Sequence, residues 1–315
     1  MIQQLHTTVS GALEGAVSQL SLAGVPGARV DAELLVGHVL GLSRGAVQSK
    51  AVTDAPLGAA DAATIAELVD RRAAREPLQH ITGRAPFRSL DLAVGPGVFV
   101  PRPETEQVVQ FAIDALRAVA VPEPVAVPDP VAGSAAVPEP VEGPPAGPIA
   151  VDLGTGSGAI ALAMATEVPH ARVYGVEVSP LAFVWTKQNF RESGAANATP
   201  VFTDLAIALP ELNGTVSVVI SNPPYIPRAA IPRDPEVRLF DPEIALYGGD
   251  DGLDVVHQVS ATGLRLLHSG GTLVMEHGEL QAAEIAALLR ADGWLAVASH
   301  PDLLGRDRAT TALRP

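Results

Sequence analysis

The fold of this chain is decided by the stretch Val151-Asp152-Leu153-Gly154-Thr155-Gly156-Ser157-Gly158. It begins as a short apolar strand, passes through alternating glycines and continues into the Ala-rich segment 159–163, which we predict to be helical. Glycines at such a turn let a ligand approach the backbone closely, and the helix N-terminus offers it free N–H groups. The spacing is Gly-x-Gly-x-Gly rather than the Gly-x-Gly-x-x-Gly of dinucleotide sites, which counts against NAD or FAD. The stretch therefore predicts an α/β fold with a ligand site at the end of this strand.

Predicted strands downstream each lead into a polar side chain: 172–176 into Glu177, 201–203 into Asp204, and the apolar run 216–220 into Asn222. In Rossmann-like sheets an acid at the end of the second strand binds ribose hydroxyls, although Glu177 is also explicable as a solvated charge at a strand end. The carboxyl ends of parallel strands meet at one edge of an open α/β sheet, where these folds bind ligands. We therefore expect these side chains and the glycine stretch to lie along one edge and to bind a nucleoside.

The tetrapeptide Asn222-Pro223-Pro224-Tyr225 follows the last of these runs. Its consecutive prolines supply carbonyl oxygens but no N–H donors, and they hold the backbone extended. Asn222 adds a side-chain carbonyl and Tyr225 an aromatic ring. Acceptors beside a ring suit a planar –NH2 group, which has two hydrogens to place. The alternative is a Pro-rich loop that only closes the strand.

In this order, the glycine stretch, the acids and the tetrapeptide resemble the class I methyltransferases that use S-adenosylmethionine. Upstream, 77–87 and Pro101-Arg102-Pro103-Glu104-Thr105-Glu106 are similar to segments of the PrmC/HemK family, the release factor glutamine methyltransferases. Further segments also resemble this family: 241–246, 248–253, 276–278 and 302–308. The resemblance implies an α/β, Rossmann-like class I methyltransferase sheet with an N-terminal helical bundle domain and a β-hairpin connector.

The resemblance implies that S-adenosylmethionine is bound by Asp152, Gly154, Thr155, Gly156, Gly158, Glu177, Asp204, Leu205 and Asn222. The glycines would face the methionine part of the cofactor, Glu177 its ribose and Asp204 its adenine amino group. Family members often carry a Trp directly after that last acid, where Leu205 stands in this chain. Adenine can rest on an aliphatic side chain, so we expect weaker stacking rather than lost binding.

The resemblance also implies the reaction, which is methyl transfer to the side-chain amide nitrogen (N5) of the glutamine in the Gly-Gly-Gln loop of class 1 peptide chain release factors. Asn222 Oδ1 and the Pro223 carbonyl would accept the two amide N–H bonds, and Tyr225 would pack against the amide plane. The predicted catalytic residues are thus Asn222, Pro223 and Tyr225. The predicted substrate-binding residues are Asn222, Pro223, Pro224, Tyr225, Arg102 and Glu104.

Several alternatives stay open. Arg102 and Glu104 either order the hairpin over the pocket or contact the substrate loop. The tetrapeptide also suits the exocyclic amine of a nucleic acid, adenine N6 or guanine N2, because that group is planar as well. A protein that binds the cofactor or a partner without methylating is a further alternative. His277 follows an apolar strand, and we interpret it as structural rather than as a base.

The net charge of −14 disfavours a duplex-binding enzyme, so we expect no direct nucleic-acid binding. A basic protein partner is compatible with this charge, although solubility alone also explains it. The absence of cysteine excludes disulfides, Cys-based zinc sites and a thiol nucleophile, and the His spacing indicates no metal site. The sequence has neither a bilayer-spanning apolar stretch nor a signal-peptide pattern. We expect a cytoplasmic monomer.

The sequence predicts a helical substrate-recognition domain over 1–76, a β-hairpin connector over 77–100, a methyltransferase domain over 101–315, and a Pro-rich insertion within the last at about 121–148. In the first region apolar residues recur at helical spacing, and Ser10 and Asp61 are candidate N-caps. The alternative to substrate recognition is that this region only covers the cofactor domain. Proline at the density of the insertion excludes a helix or a central strand and predicts an extended surface loop. A ligand for a proline-binding domain is the alternative interpretation of that segment.

Overall fold

The structure is a computed structural model that describes residues 8–119 and 147–315. These residues form two compact units, the first made of 8–85, 91–100 and 230–243 and the second of 86–90, 101–119, 147–229 and 244–315. The predicted Pro-rich insertion lies, apart from its last two residues, outside the described residues. The domain boundaries at 76 and 100 stay predictions. No helix in the two described ranges is long and apolar enough to cross a membrane.

The described chain is mainly helical up to residue 118, and helices and strands are interspersed from residue 149 onward. The helices are α1 (Val9–Leu22), α2 (Ala28–Leu40), α3 (Arg44–Val52), α4 (Ala59–Ala73), α5 (Leu78–Thr82), α6 (Pro103–Ala118), α7 (Ala159–Glu167), α8 (Pro180–Ser193), α9 (Pro235–Phe240), α10 (Asp254–Leu266) and α11 (Ala282–Ala291). The strands are β1 (Arg84–Phe87), β2 (Leu90–Ala93), β3 (Ile149–Leu153), β4 (Arg172–Glu177), β5 (Ala198–Phe202), β6 (Val216–Ser221), β7 (Leu267–Glu276), β8 (Leu295–Pro301) and β9 (Asp307–Leu313). The first two strands form a two-stranded sheet, and the other seven form a single larger sheet.

The first unit confirms the predicted N-terminal helical region over its described part. Its core consists of apolar side chains at helical spacing, and Leu20, Leu35 and Val36 are fully buried within it. Arg72 is also buried, and its guanidinium group is neutralised by Asp31 at 2.8 Å and by Glu236 at 2.8 Å. The cost of burying this charge is therefore offset by paired carboxylates.

Both N-cap predictions are wrong. Helix α1 begins at Val9 because Thr8 acts as its N-cap and accepts a hydrogen bond from Gly11 N at 3.2 Å, so Ser10 lies inside the helix. Helix α4 has Gly58 as its N-cap, and Asp61 lies in its first turn. A carboxylate in the first turn still stabilises the positive end of a helix. Asp61 therefore marks the start of the helix in the sequence without being its N-cap.

The large sheet confirms the predicted Rossmann-like α/β architecture. Its strand order is β5-β4-β3-β6-β7-β9-β8, with parallel pairing from β5 to β7 and antiparallel pairing of β9 with both neighbours. The chain passes outward from β3 to β4 and β5, and then returns beyond β3 to β6 and β7. Such a reversal of strand order is the switch point at which open α/β sheets form a ligand crevice.

The two central strands, β3 and β6, are buried along their whole length, as parallel strands covered on both faces should be. Helix α7 is buried throughout 159–165, and it packs against β3, β4 and α6. The alanines of α7 allow this close approach because they add little volume at the contact. The carboxyl ends of β3 and β6 are thereby fixed within a close-packed core.

A hydrogen-bond chain beneath the sheet gives a stability prediction. The buried Trp294 donates its indole N–H to Ser260 Oγ at 2.8 Å, and Ser260 donates to Asp292 Oδ2 at 2.6 Å. Ser260→Ala leaves the indole donor without a partner, which costs roughly 1–3 kcal/mol. We expect a lower urea midpoint than for the wild type, while the same change at the exposed Ser269 leaves the midpoint unchanged. Equal midpoints for the two variants would contradict this assignment.

Candidate active site

The glycine stretch forms a loop that is hydrogen-bonded to the end of β4. Gly154 N and Thr155 N both donate to the Val176 carbonyl, at 2.9 and 2.8 Å, and Gly156 N donates to Glu177 Oε2 at 2.9 Å. Gly154 and Gly156 have φ of +77° and +57°, which favours glycine, and a Cβ at either position would meet no atom within 4 Å. The loop is therefore fixed on the sheet side and open on the other.

Asp152 lies buried beneath this loop. Its Oδ2 accepts hydrogen bonds from Thr155 Oγ1 at 2.5 Å and from Ala161 N at 3.2 Å, so it ties the loop to the start of α7. Its Oδ1 has no hydrogen-bond partner among the described residues. Burial raises the pKa of Asp152 to about 7, against the hydrogen bonds, which lower it. Asp152 thus offers an unused acceptor at the base of the loop.

Glu177 is fixed by backbone donors. Oε1 accepts from Val178 N at 3.0 Å and from Ser179 N at 2.7 Å, while Oε2 accepts from Gly156 N. Its side chain is buried, which rules out a solvated charge at a strand end. Val178, which follows it, is an exposed apolar residue beside the same strand end, and the sequence prediction did not include it.

Asp204 and Leu205 follow β5 at the same edge of the sheet. Asp204 is the N-cap of a short 3-10 turn, Leu205–Ile207, and its Oδ1 accepts from Ala206 N at 2.9 Å. Leu205 is half-buried against the core of the second unit, and its carbonyl accepts a hydrogen bond from Thr262 at 3.3 Å. Because Leu205 is packed against the core, it provides a fixed apolar surface at the end of β5.

The Asn222 tetrapeptide begins where β6 ends, next to the glycine loop. Residues of β3 and β6 are paired through Asp152 and Ile220, and Ser221 Oγ donates to the Leu153 carbonyl at 2.6 Å. Asn222 is half-buried and Pro223 is buried. The structure therefore brings the predicted glycine loop, Glu177 and the tetrapeptide together at adjoining strand ends.

The tetrapeptide is held from its other side by the predicted family segment 248–253. A Cβ at Gly248 would lie 2.4 Å from the Pro224 carbonyl oxygen, and one at Gly252, where φ is +85°, would lie 2.3 Å from the Tyr225 carbonyl oxygen. Only glycine allows this approach of one backbone to another. Ile226 N also donates to the Leu246 carbonyl at 2.9 Å. The extended shape of the tetrapeptide is thus supported by packing as well as by its prolines.

Tyr225 is positioned by Gln281, a residue that the sequence prediction missed. Gln281 Nε2 donates to the Tyr225 carbonyl at 2.9 Å, and Gln281 Oε1 accepts from Gly278 N at 3.1 Å. Burial raises the pKa of the Tyr225 phenol to about 12, and the charges of Arg102 and Glu104 also act on this group. The phenol is therefore neutral at physiological pH, and the two predicted charged residues lie in its electrostatic environment.

The structure adds Thr105 and Glu276 beside Asn222. Thr105 Oγ1 lies 3.5 Å from Asn222 Nδ2, and both Thr105 and Asn222 hydrogen-bond Glu276. Burial raises the pKa of Glu276 to about 7, although these hydrogen bonds lower it. The only sequence signal for these residues was that each lies in a family-like segment, 101–106 or 276–278.

Both ring nitrogens of His277, next to Glu276, are hydrogen-bonded within the protein. Its Nδ1 bonds the Gly278 carbonyl at 3.0 Å and its Nε2 bonds Thr310 Oγ1 at 2.9 Å, and burial lowers its pKa. This supports its structural interpretation. Among residues 8–119 and 147–315, no group of three or more His, Asp or Glu side chains could hold a metal ion.

Comparison with known proteins gives the following matches. A family model described as the PrmC N-terminal domain matches residues 11–83, and one described as the methyltransferase small domain matches residues 133–240. The release factor glutamine methyltransferase of Streptomyces coelicolor is 46% identical over 94% of this chain and 95% of that protein. That of Bifidobacterium longum is 40% identical over 95% of this chain and 97% of that protein. The 4-amino-L-phenylalanine/4-methylamino-L-phenylalanine methyltransferase of Streptomyces pristinaespiralis is 36% identical over 98% of this chain and 95% of that protein.

The raised pKa of Asp152 predicts a pH-dependent contribution to stability. Because this pKa rises from 3.8 to about 7 on folding, the folded state binds the extra proton between these pH values. The stabilising contribution is complete below the lower value and is lost as the pH rises through the upper one. Asp152→Asn keeps an acceptor for Thr155 and Ala161 but does not titrate. We expect the unfolding free energy of this variant, relative to the wild type, to rise across that window and then level off.

Urea denaturation of both proteins at a series of pH values measures this difference. Because the remaining titratable groups are common to both proteins, their contributions cancel. A difference that stays constant across the window would mean that the carboxyl has the same pKa in both states.

Proposed function

Because the chain belongs to the family of release factor glutamine methyltransferases, we propose that it methylates the side-chain amide nitrogen (N5) of the glutamine in the Gly-Gly-Gln loop of class 1 peptide chain release factors. The enzyme is S-adenosylmethionine-dependent. The observation that carries the proposal is the position of the Asn222 tetrapeptide, one strand from the glycine loop and at the same edge of the sheet. Its acceptors suit a planar amide, and its neighbours suit the cofactor.

The residues at this edge fit S-adenosylmethionine. The loop 154–158 leaves open space above its first two glycines, and Asp152 keeps an unused acceptor among the described residues. When bound, this cofactor supplies an electrophilic methyl group on a sulfonium centre. We propose that the loop binds its methionine part, Glu177 its ribose, and Asp204 with Leu205 its adenine.

The proposed task of the tetrapeptide is to activate and orient the substrate nitrogen. An amide nitrogen is a poor nucleophile because its lone pair is delocalised into the carbonyl. Asn222 Oδ1 and the Pro223 carbonyl accept the two N–H bonds, which increases electron density on the nitrogen and fixes its direction. Tyr225 packs against the amide plane. A base is not required beforehand, because the methylated nitrogen is acidic and then releases its proton to water.

We also propose the setting in which the enzyme acts. Residues 1–76 recognise the release factor, with 77–100 as a connector, and Pro224, Arg102 and Glu104 contact the substrate loop. The enzyme works as a cytoplasmic monomer without direct nucleic-acid binding. The net charge of −14 supports the absence of nucleic-acid binding, because it repels phosphates, and it suits a basic protein partner.

Substrate choice is tested by methyl transfer from labelled S-adenosylmethionine. The acceptors are a purified class 1 release factor, its Gln→Ala loop variant, duplex DNA and 4-amino-L-phenylalanine. We expect label on the wild-type release factor alone. Label on DNA would favour the nucleic-acid alternative, and label on the amino acid would favour the activity named for the Streptomyces pristinaespiralis relative.

Asn222→Ala separates chemistry from cofactor binding. Loss of a preorganised acceptor lowers turnover by about 100-fold or more, whereas the affinity for S-adenosylmethionine, measured by calorimetry, is largely retained, because the glycine loop, Glu177 and Asp204 are proposed to supply most of the cofactor contacts. Gly156→Val is the converse variant, because it fills the open space above the loop and places a β-branched residue at positive φ. It should weaken cofactor binding first. Near-normal turnover by Asn222→Ala would refute the proposed role of this residue.

A further inference from the structure

We propose that Glu276 and Thr105 are positioning residues that fix the orientation of the Asn222 carboxamide, so that its oxygen rather than its NH2 group faces the substrate amide. This inference rests on the proposed function, because only an –NH2 substrate requires an acceptor at that point. The two ends of a carboxamide have nearly the same shape, so packing alone selects poorly between them. A flipped Asn222 would point donors at the donors of the substrate. An amide-binding site therefore needs something that distinguishes the two ends.

The three side chains come from different elements that pack together. Thr105 lies in the first turns of α6, Asn222 directly follows β6, and Glu276 is the last residue of β7. Helix α6 packs on both strands. Thr105 is 4% exposed and Glu276 is 1% exposed, so water does not compete for these hydrogen bonds.

The direction of the hydrogen bonds follows from what each group can do. An ionised carboxylate only accepts, so the single hydroxyl hydrogen of Thr105 must point to Glu276. The hydroxyl then has only lone pairs left for Asn222 Nδ2, which lies 3.5 Å from it. Asn222 also donates to Glu276 itself. Both contacts require the NH2 end of Asn222 to face inward, and Oδ1 is therefore the end available to a substrate.

A purely structural role explains Glu276 less well. Its Oε2 has no hydrogen-bond partner among the described residues, although the side chain is almost completely buried. Burying a carboxylate that uses only one oxygen opposes folding, and a neutral side chain of similar size would avoid this. Arg308 favours the ionised form of Glu276, whereas the charge of Glu104 opposes it. The benefit of this carboxylate is that it can only accept, so it fixes the direction of the hydrogen bonds from Thr105 and Asn222.

The first test compares near-isosteric variants on the full-length enzyme, at a pH well above 7, where Glu276 is ionised. Thr105→Val removes the hydroxyl that links Glu276 to Asn222. Glu276→Gln replaces a group that only accepts hydrogen bonds with one that can also donate, so it no longer fixes their direction. We expect each to lower kcat for the release factor roughly 10-fold or more, with an unchanged Kd for S-adenosylmethionine. Thr105→Ser should restore most of the lost activity. Thr166→Val is the matched control, because among the described residues the Thr166 hydroxyl bonds only carbonyls of its own helix.

Double variants distinguish positioning from a loss of fold. In an Asn222→Ala background, neither Thr105→Val nor Glu276→Gln should lower kcat further, because both act through the missing carboxamide. A general structural effect would instead add to that of Asn222→Ala. An inactive wild type would contradict the proposed function, whereas an active wild type with equally active Thr105→Val and Glu276→Gln variants would overturn the positioning role.

A spectroscopic measurement decides the inference without any turnover. The chain has four asparagines, so the side-chain NH2 signals of protein labelled with 15N-asparagine are few. The pair that disappears in Asn222→Ala identifies Asn222. We expect this pair to shift in Thr105→Val and in Glu276→Gln, since its acceptors are changed there, and to keep its position in Thr166→Val. A pair that does not move in either of the first two variants would overturn the inference.

Discussion

The site depends on parallel pairing of β3 with a strand on each side. Asp152 is in register with Gly175 on β4 and with Ile220 on β6, so the three strands end at nearly the same height. The residues that follow those ends are then neighbours, although they are far apart in the sequence. Because β3 and β6 are buried along their length and β4 is buried over its last three residues, a slip of this register would expose apolar side chains and separate the site. The core thus fixes the positions of the polar groups at its edge.

Small residues determine how closely the segments at this edge can approach. Gly175, in the middle of β4, leaves room for Phe190 and for the Thr155 side chain, each of which would be 2.9 Å from a Cβ at that position. Gly248 and Gly252 do the same for the backbone of the tetrapeptide. At Gly248 and Gly252 the nearest atom to an added methyl group would be a backbone oxygen of the tetrapeptide, whereas at Gly175 it would be a side chain. The glycines of segment 248–253 are therefore best understood as allowing close contact between backbones, whereas the loop 154–158 has open space above its first two glycines.

The sequence predicts the parts of the site that are local. Strand β4 spans Arg172–Glu177 as expected, and Asn222 follows β6, because apolar runs and the residues that end them are adjacent in the chain. Thr105 and Glu276 could not be assigned roles in this way. Their partners lie more than fifty residues away, and no periodicity reports which buried polar groups meet. The N-cap predictions for α1 and α4 failed for a different reason. Several residues near a helix start are suitable N-caps, and the sequence does not distinguish between them.

The polar groups at this edge of the sheet fall into two sets, one that suits the proposed cofactor and one that suits the proposed –NH2 substrate. The start of α7 carries the positive end of the helix dipole, which suits a carboxylate, while the buried Asp152 leaves Oδ1 without a partner among the described residues, which suits a nearby donor or cationic group. The tetrapeptide side offers acceptors alone: the carbonyl of Pro223 and, in the proposed orientation, Asn222 Oδ1. A zwitterionic cofactor matches the first set, and an –NH2 group matches the second. Since a flipped Asn222 would place a donor in the second set, control of a single carboxamide decides whether the two sets stay chemically distinct.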